Sequence, residues 1–303
     1  MRATSASARA LVLVNRRARR GGERIGEAVA RLRALGVDLV EASVTGPEPP
    51  AEIIRRYGRE VDRVIVAGGD GTINRALEGL LESGLPLGVL PLGTANNLAR
   101  TLGIPTELDA ACAVAARGEP RSVDVGRVNQ RPFLTTASLG LSVAITEQLS
   151  GEAKRRWGRL AYAVVAARVL VRARPFTAEI VWPEGRLRTR TVQIVVGNGR
   201  YYGAALAVAE DATIRDRQLD AYSLEIRHWW ELVRLAPALK RGSHGARPAV
   251  QTVRAREMDV LTTVPHRIDV DGELGPSTPA HFAVLPGALR VLCPGSAERK
   301  AAA

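Results

Sequence analysis

In the run Val64-Ile-Val-Ala-Gly68-Gly69-Asp70-Gly71-Thr72-Ile73-Asn74, three glycines and a carboxylate stand between a β-branched stretch and the start of a helical one. Glycine admits positive φ and lets a ligand approach the main chain. A helix start offers unpaired N–H groups and the positive end of a dipole. Together these features predict a phosphate cradle, because three glycines around a carboxylate would be a costly way to build an ordinary turn. Asp70 would repel a phosphate unless a cation lies between them, and Mg²⁺ supplies that bridge. A second loop, Pro91-Leu92-Gly93-Thr94-Ala95-Asn96-Asn97, follows the apolar run Leu87 to Leu90. Thr94 is placed there to cap a helix and to offer its hydroxyl to a phosphate or ribose. Two such loops on neighbouring strands can face one nucleotide from two sides.

Several phosphate chemistries are excluded. The chain has no GxxxxGK[ST] and no lysine before Lys154, so it is not a Walker-type NTPase, and it lacks the HRD loop of protein kinases. A third glycine run, Ile194-Val-Val-Gly197-Asn198-Gly199-Arg200-Tyr201-Tyr202-Gly203 with Asp220 downstream, imitates a dinucleotide fingerprint. That reading fails because Ala204 to Asp211 does not read as a crossover helix and the surroundings are β-type.

The elements that must hold these loops fall into two textures. Residues 10 to 100 alternate β-branched runs (Leu11–Val14, Val37–Val44, Val64–Ala67, Leu87–Leu90) with stretches of helical periodicity (Glu23–Leu35, Pro50–Tyr57, Ile73–Leu81). This predicts a parallel sheet with flanking helices, whose ligands sit beyond the carboxyl ends of the strands. After about residue 122 short strand-like runs take over: Val123–Val128, Phe133–Leu139, Phe176–Val181, Thr191–Val196, Leu219–Ile226, Met258–Thr263 and His266–Val270. Helices are expected near Arg156–Arg172 and Trp229–Lys240. The fold class is therefore an α/β nucleotide-binding domain over residues 1–125, followed by a mostly β sandwich domain over 126–287. At roughly 100 to 200 residues per domain, 303 residues suit this division.

Composition narrows the function further. The formal charge is +12, with 43 lysines and arginines of which only Lys154, Lys240 and Lys300 are lysines. So arginine-rich a chain reflects either gene composition or a basic face suited to anionic partners. Aromatic residues make up 4%, with no motif that interleaves them with the arginines, so no nucleic-acid partner is expected. Cys112 and Cys293 lie in unrelated contexts, the four histidines have no metal-ligand spacing, and no apolar window reaches ~20 residues. The chain is expected to be cytoplasmic and not transmembrane.

In order along the chain, Gly68-Gly-Asp-Gly-Thr72, Pro91-Leu-Gly-Thr-Ala-Asn96 and Asp271-Gly272-Glu273 resemble the diacylglycerol kinase catalytic-domain family, which includes bacterial lipid kinases and the sphingosine and ceramide kinases. The likeness extends through Val14-Asn15, Ser122-Val-Asp124-Val-Gly126, Gly197 to Gly203, Asp211-Ala212, Asp216 and Leu219-Asp220. It implies the same two domains, with an active site in the cleft between them and residues 288–303 returning to the first. It implies ATP as phosphate donor and Mg²⁺ as cofactor. ATP would meet Gly68, Gly69, Asp70, Gly71, Thr72 and Asn74, with Gly93, Thr94 and Asn96 on the second loop and Asn15 and Thr45 on neighbouring ones. Asp70 and either Asp271 or Glu273 would serve catalysis, the latter pair as candidates for the general base, since a free alcohol is a poor nucleophile at neutral pH. Asp70 and Asp124 would order Mg²⁺ through water, and Thr213, Asp216 and Gln218 would form a second metal loop.

Three positions depart from the family pattern. Asn15 is followed by Arg16 instead of proline, Asn96 by Asn97 instead of aspartate, and Asp216 by Arg217 instead of glycine. The change at Asn97 removes a charge from the implied Mg²⁺ network. A lipid kinase without a spanning helix must meet its substrate at the membrane surface. Lys154-Arg155-Arg156-Trp157-Gly158-Arg159 and His228-Trp229-Trp230-Glu231-Leu232-Val233-Arg234 combine tryptophan with cations as such contact requires. Two further readings stand beside the lipid kinase: a catalytically impaired nucleotide-binding regulator, and an enzyme like NAD kinase. A homodimer is compatible with the family.

Overall fold

Apolar runs at the start of the chain become the strands of a parallel sheet. The computed structural model describes residues 8–15, 21–46, 48–148, 165, 168–169, 171, 173–199, 201–202, 206–207, 213–226, 229–241 and 243–295. These form two compact units, Met1–Val123 with Gly287–Ala303, and Asp124–Pro286.

The first unit contains β1 (Arg9–Val14), α1 (Gly21–Ala34), β2 (Asp38–Ser43), α2 (Pro50–Tyr57), β3 (Arg63–Gly68), α3 (Asp70–Ser83), β4 (Leu87–Pro91), α4 (Asn97–Leu102), α5 (Leu108–Arg117) and the start of β5 (Glu119–Val128). The sheet order is β2-β1-β3-β4, parallel throughout. Strand alternation sends Ala10, Val12, Val14, Ile65 and Ala67 toward Ile25, Ala28 and Leu32 of α1 and Ala111, Cys112 and Ala115 of α5. The α2 and α3 helices cross closely on the other face, where a Cβ on Gly79 would stand 2.8 Å from the Ala51 Cα. Each buried aliphatic side chain contributes about 1.5–3 kcal/mol, which holds the strand ends, and the loops they carry, in fixed places. Cys112 lies in this core, where burial pushes its thiol up to about 11 and leaves it unreactive.

The second unit continues β5 and adds β6 (Arg131–Phe133), β7 (Thr136–Gly140), α6 (Leu141–Gln148), β8 (Phe176–Trp182), β9 (Gly185–Thr191), β10 (Gln193–Gly197), β11 (Tyr201–Tyr202), β12 (Leu206–Ala207), β13 (Leu219–Leu224), α7 (Trp229–Arg241), β14 (Val250–Ala255), β15 (Glu257–Thr262), β16 (Arg267–Val270), β17 (Glu273–Ser277) and β18 (Ala280–Cys293). One layer has the order β14-β13-β10-β7-β16-β17; the other runs from the first half of β18 through β15 and β8 to β9. The layers are antiparallel and close over a shared core. Ile180, Met258, Val260 and Phe282 from one meet Leu139, Ile194, Val196, Ile268 and Val270 from the other. Arg186, Arg188 and Arg190 alternate outward along β9, the last strand of its layer. At Gly287, with φ +60°, β18 passes into the first unit, where Val291 pairs in parallel with Leu87 of β4.

The α/β and sandwich classes expected from the sequence are both present, with differences in detail. The expected strand Phe133–Leu139 is broken at Leu134 and Thr135, whose N–H groups are taken by a side chain instead of a ladder. Helices α5 and α6 and strands β9, β14 and β17 escaped the periodicity, because short alanine-rich or half-exposed segments carry weak apolar patterns. The glycine run after Ile194 is no dinucleotide fingerprint, since both neighbours of β10 are antiparallel. The expected helix at Arg156–Arg172 falls mostly outside the described residues, and Lys154–Arg159 wholly so.

Candidate active site

In the first unit the loops after β3 and β4 meet backbone to backbone. A Cβ on Gly93 would stand 2.5 Å from the Gly69 Cα, and one on Gly69 would stand 3.0 Å from the Gly93 Cα. Glycine at both positions is therefore what lets the loops touch. A Cβ on Gly68 would likewise stand 2.7 Å from the Thr72 hydroxyl. From the end of β1, Asn15 donates Nδ2–H to the Thr72 Oγ1 at 3.3 Å. Gly71 and Thr94 are exposed, Asn74 and Thr45 half-buried, and the Thr45 hydroxyl lies 2.8 Å from that of Ser43. The carboxyl ends of β1, β3 and β4 thus bring together Asn15, Gly68 to Thr72 and Gly93 to Asn96 around the start of the 14-residue helix α3. Thr45 stands after β2, the outermost strand of this series.

Two of the polar residues are engaged within this structure. The Asn96 side chain, at φ +49°, accepts from the Gly93 N–H and donates to the carbonyls of Pro91 and Gly93, all within its own loop. The Asp70 carboxylate accepts N–H bonds from Asn97 at 3.0 Å and Leu98 at 3.2 Å, at the start of α4. Its charge meets a helix N-terminus there, so the expected cation is not required to account for a carboxylate in this loop.

The second unit supplies a different carboxylate. Asp271, at φ +50° in the turn between β16 and β17, accepts from the N–H groups of Leu134 (2.7 Å), Thr135 (3.0 Å) and Thr136 (2.9 Å) and from the Thr135 hydroxyl. Burial pushes its carboxyl above the ordinary value of 3.8, against the downward pull of those four bonds. Glu273, two residues on, is exposed and pairs with Arg131 at 2.6 Å. Asp271 and Glu273 therefore differ in kind, one enclosed by main-chain donors and the other a surface ion pair. Sequence reasoning named neither Thr135 nor Arg131, because each reaches its partner across more than 130 residues.

The acidic loop also closes on itself. Asp216 accepts from the N–H groups of Thr213 (3.4 Å) and Gln218 (3.1 Å), and Arg254 pairs with it at 2.9 Å and with Asp220 at 3.1 Å. Asp124 is 3% exposed and accepts the Arg217 N–H at 2.7 Å. So Asp124, Thr213, Asp216 and Gln218 are neighbours. Among the described residues, however, no three His, Cys, Asp or Glu side chains are grouped to hold a metal ion, and Asp216 is already neutralised by Arg254. Of the expected membrane contacts, Trp230 is 44% exposed and lies under the Arg234 guanidinium at 5.8 Å, while His228 lies outside the described residues. Among the described residues no helix is long and apolar enough to cross a membrane.

Comparison with known proteins places both units. Residues 9–128 match the diacylglycerol kinase catalytic domain, and residues 135–293 match the YegS C-terminal NAD kinase beta sandwich-like domain. A diacylglycerol kinase of Mycobacterium tuberculosis is 31% identical over 278 residues, covering 88% of each chain. One from Bacillus subtilis is 32% identical over 240 residues, covering 78% of this chain and 79% of that one. A solved diacylglycerol kinase structure from Bacillus anthracis superposes with a TM-score of 0.74 at 20% identity, covering 97% of this chain and 99% of that one, a likeness that speaks for the fold.

Proposed function

From the premise that the chain belongs to the diacylglycerol kinase catalytic-domain family of lipid kinases, we propose that it transfers the γ-phosphoryl group of ATP to the hydroxyl of diacylglycerol or a lipid close to it. The observation that carries this reading is the contact of Gly69 with Gly93. It sets two bare stretches of backbone around the exposed N-terminus of α3, a surface that accepts a polyphosphate by N–H bonds and dipole. Asn15, Gly68, Gly69, Gly71, Thr72, Asn74 and Thr94 are the proposed nucleotide contacts, with Thr45 beside them. Gly93, Asp70 and Asn96 shape the loops that make those contacts. Mg²⁺ enters as part of the MgATP substrate.

Asp271 is the better supported of the two candidate bases. Its carboxylate is fixed in place by main-chain donors and made more basic by burial, as proton abstraction from an alcohol requires. The charge of Glu273 is met by Arg131. In-line transfer forms the bond from the lipid oxygen to the γ-phosphorus as the bond to the departing ADP breaks, and the hydroxyl proton passes to a carboxylate oxygen. The acceptor would be met at the membrane surface, with Trp230 and Arg234 as one contact.

Incubation with γ-labelled ATP and mixed micelles of candidate lipids, with NAD in a parallel tube, tests the reading. Label in a phosphatidate-like product is expected. Label in NAD would favour an enzyme like NAD kinase, and ATP binding without transfer to any acceptor would favour a regulator.

A further inference from the structure

The two glycine loops offer a polyphosphate N–H groups and the end of a helix dipole, but no full positive charge. No lysine precedes Lys154, so none can supply that charge from the first unit in the manner of a P-loop. Asp70, within the first loop, is negative and commits its carboxylate to the N–H groups of Asn97 and Leu98. MgATP is still an anion, so a cation beside these loops would add to binding.

Several arginines of the first unit serve elsewhere. Arg31 pairs with Glu27 and Asp109, Arg33 with Glu41, and Arg55 with Glu52 and Glu82. Arg63, at the opposite end of β3 from the loop, donates to the Ala116 carbonyl at 2.6 Å.

Arg75 is placed differently. It stands on α3, the helix that begins in the first loop, four residues after Gly71. Gly71, Arg75, Glu78 and Glu82 form an exposed stripe at helical spacing, while Thr72, Ile73, Ala76 and Leu77 are buried. Helical side chains lean toward the N-terminus, so that of Arg75 covers the turn opened by Gly71. Gly71 leaves that turn bare, with open space around a Cβ built on it. The two glutamates of the stripe lie further down the helix, and Glu82 is held by Arg55 at 2.6 Å. A guanidinium one turn below exposed N–H groups can reach an anion bound to them, and its fork of donors fits phosphate oxygens.

We propose that Arg75 binds the phosphate tail of the nucleotide and supplies the full positive charge that the glycine loops lack. This rests on the reading of those loops as the nucleotide site.

Titration calorimetry with ATP in Mg²⁺ buffer tests it. In Arg75→Gln the Kd for ATP is expected to rise about 10-fold, the scale of one lost hydrogen bond to a charged group. Inorganic tripolyphosphate should lose about the same factor as a competitor of ATP, which assigns the contact to phosphate and not to ribose or base. Arg75→Lys, which keeps the charge but not the fork, should fall between the two proteins. Arg117→Gln removes the same charge from the exposed end of α5 and should leave the Kd within about twofold. The urea midpoint should not move in any of these variants, since both side chains are exposed. An Arg75→Gln protein that binds ATP as tightly as the unaltered one, an equal loss in Arg117→Gln, or unchanged competition by tripolyphosphate would overturn the proposal while leaving the nucleotide site in place. If the unaltered protein binds no ATP, the reading of the glycine loops fails, and the role of Arg75 falls with it.

Discussion

Asp70 and Asp271 stand in sequence contexts that look alike, each a carboxylate beside glycine at the end of an apolar strand, yet the two units use them differently. Asp70 accepts two N–H bonds from the first turn of a helix, where the dipole already favours its charge. Asp271 accepts three from a broken strand, where burial works against its charge. The first carboxylate fastens one loop to the next. The second is held by main-chain donors while burial raises its pKa against them. The lesson is that a carboxylate's role is decided by which donors surround it, and those donors come from segments far away in the chain.

The widest separation between the two should appear in catalysis. Asp271→Asn is expected to lower lipid phosphorylation by about 10²- to 10⁴-fold, the usual scale for a lost general base. Asp70→Ala should retain more activity, with a stability loss of about 1 kcal/mol from the lost cap, measured by urea denaturation. An Asp70 variant that matches the Asp271 loss would erase the distinction. Next, Gly93→Ala places a methyl carbon against the Gly69 backbone and should cost about 1–3 kcal/mol. Gly71→Ala, with open space around its Cβ, should leave stability within about 1 kcal/mol while raising KM for ATP several-fold. Equal destabilisation by both would show that the loops do not meet as described.

The smallest effect is one of pH. The backbone N–H groups of Ala110 and Asp109 hold Glu107, the cap of α5, below its ordinary 4.5. Its stabilisation is therefore complete above 4.5 and is lost as pH falls through the lower folded value. Asp271 has the opposite sign: its contribution is complete below 3.8 and is lost as pH rises through its raised value. Glu107→Gln should flatten the loss of stability that sets in as pH falls below 4.5, and Asp271→Asn should remove the loss that sets in as pH rises above 3.8, as read from urea midpoints. Shifts of the same sign would contradict the contrast.

Much of this was legible in the sequence wherever local chemistry decides the outcome. Gly68 to Asn74 announced a strand, a tight turn and a helix start, and the period of apolar residues through Leu90 marked the parallel sheet. Reading failed where partners are remote. Nothing near Asp70 says that Asn97 and Leu98 will meet its charge, and nothing near Asp216 points to Arg254. The Phe133–Leu139 run reads as one strand because its side chains alternate; only Asp271, some 135 residues later, interrupts it. Asn198 is visible as part of a glycine motif, but its side chain donates to two carbonyls, of Asp124 and Leu134, that no local pattern reveals.

The arginines of β9 bear on how the protein behaves in a crowded solution. A final strand leaves one row of N–H and carbonyl groups without a neighbour in its layer, and such a row invites another copy's strand to add on, the first step toward fibrous aggregates. Arg186, Arg188 and Arg190 project from that margin at every second residue, so an incoming copy would bring its own guanidinium groups against them. Among the described residues no segment covers this edge, so the like charges set face to face keep the molecules apart, and replacing all three with threonine should make concentrated samples bind amyloid dyes.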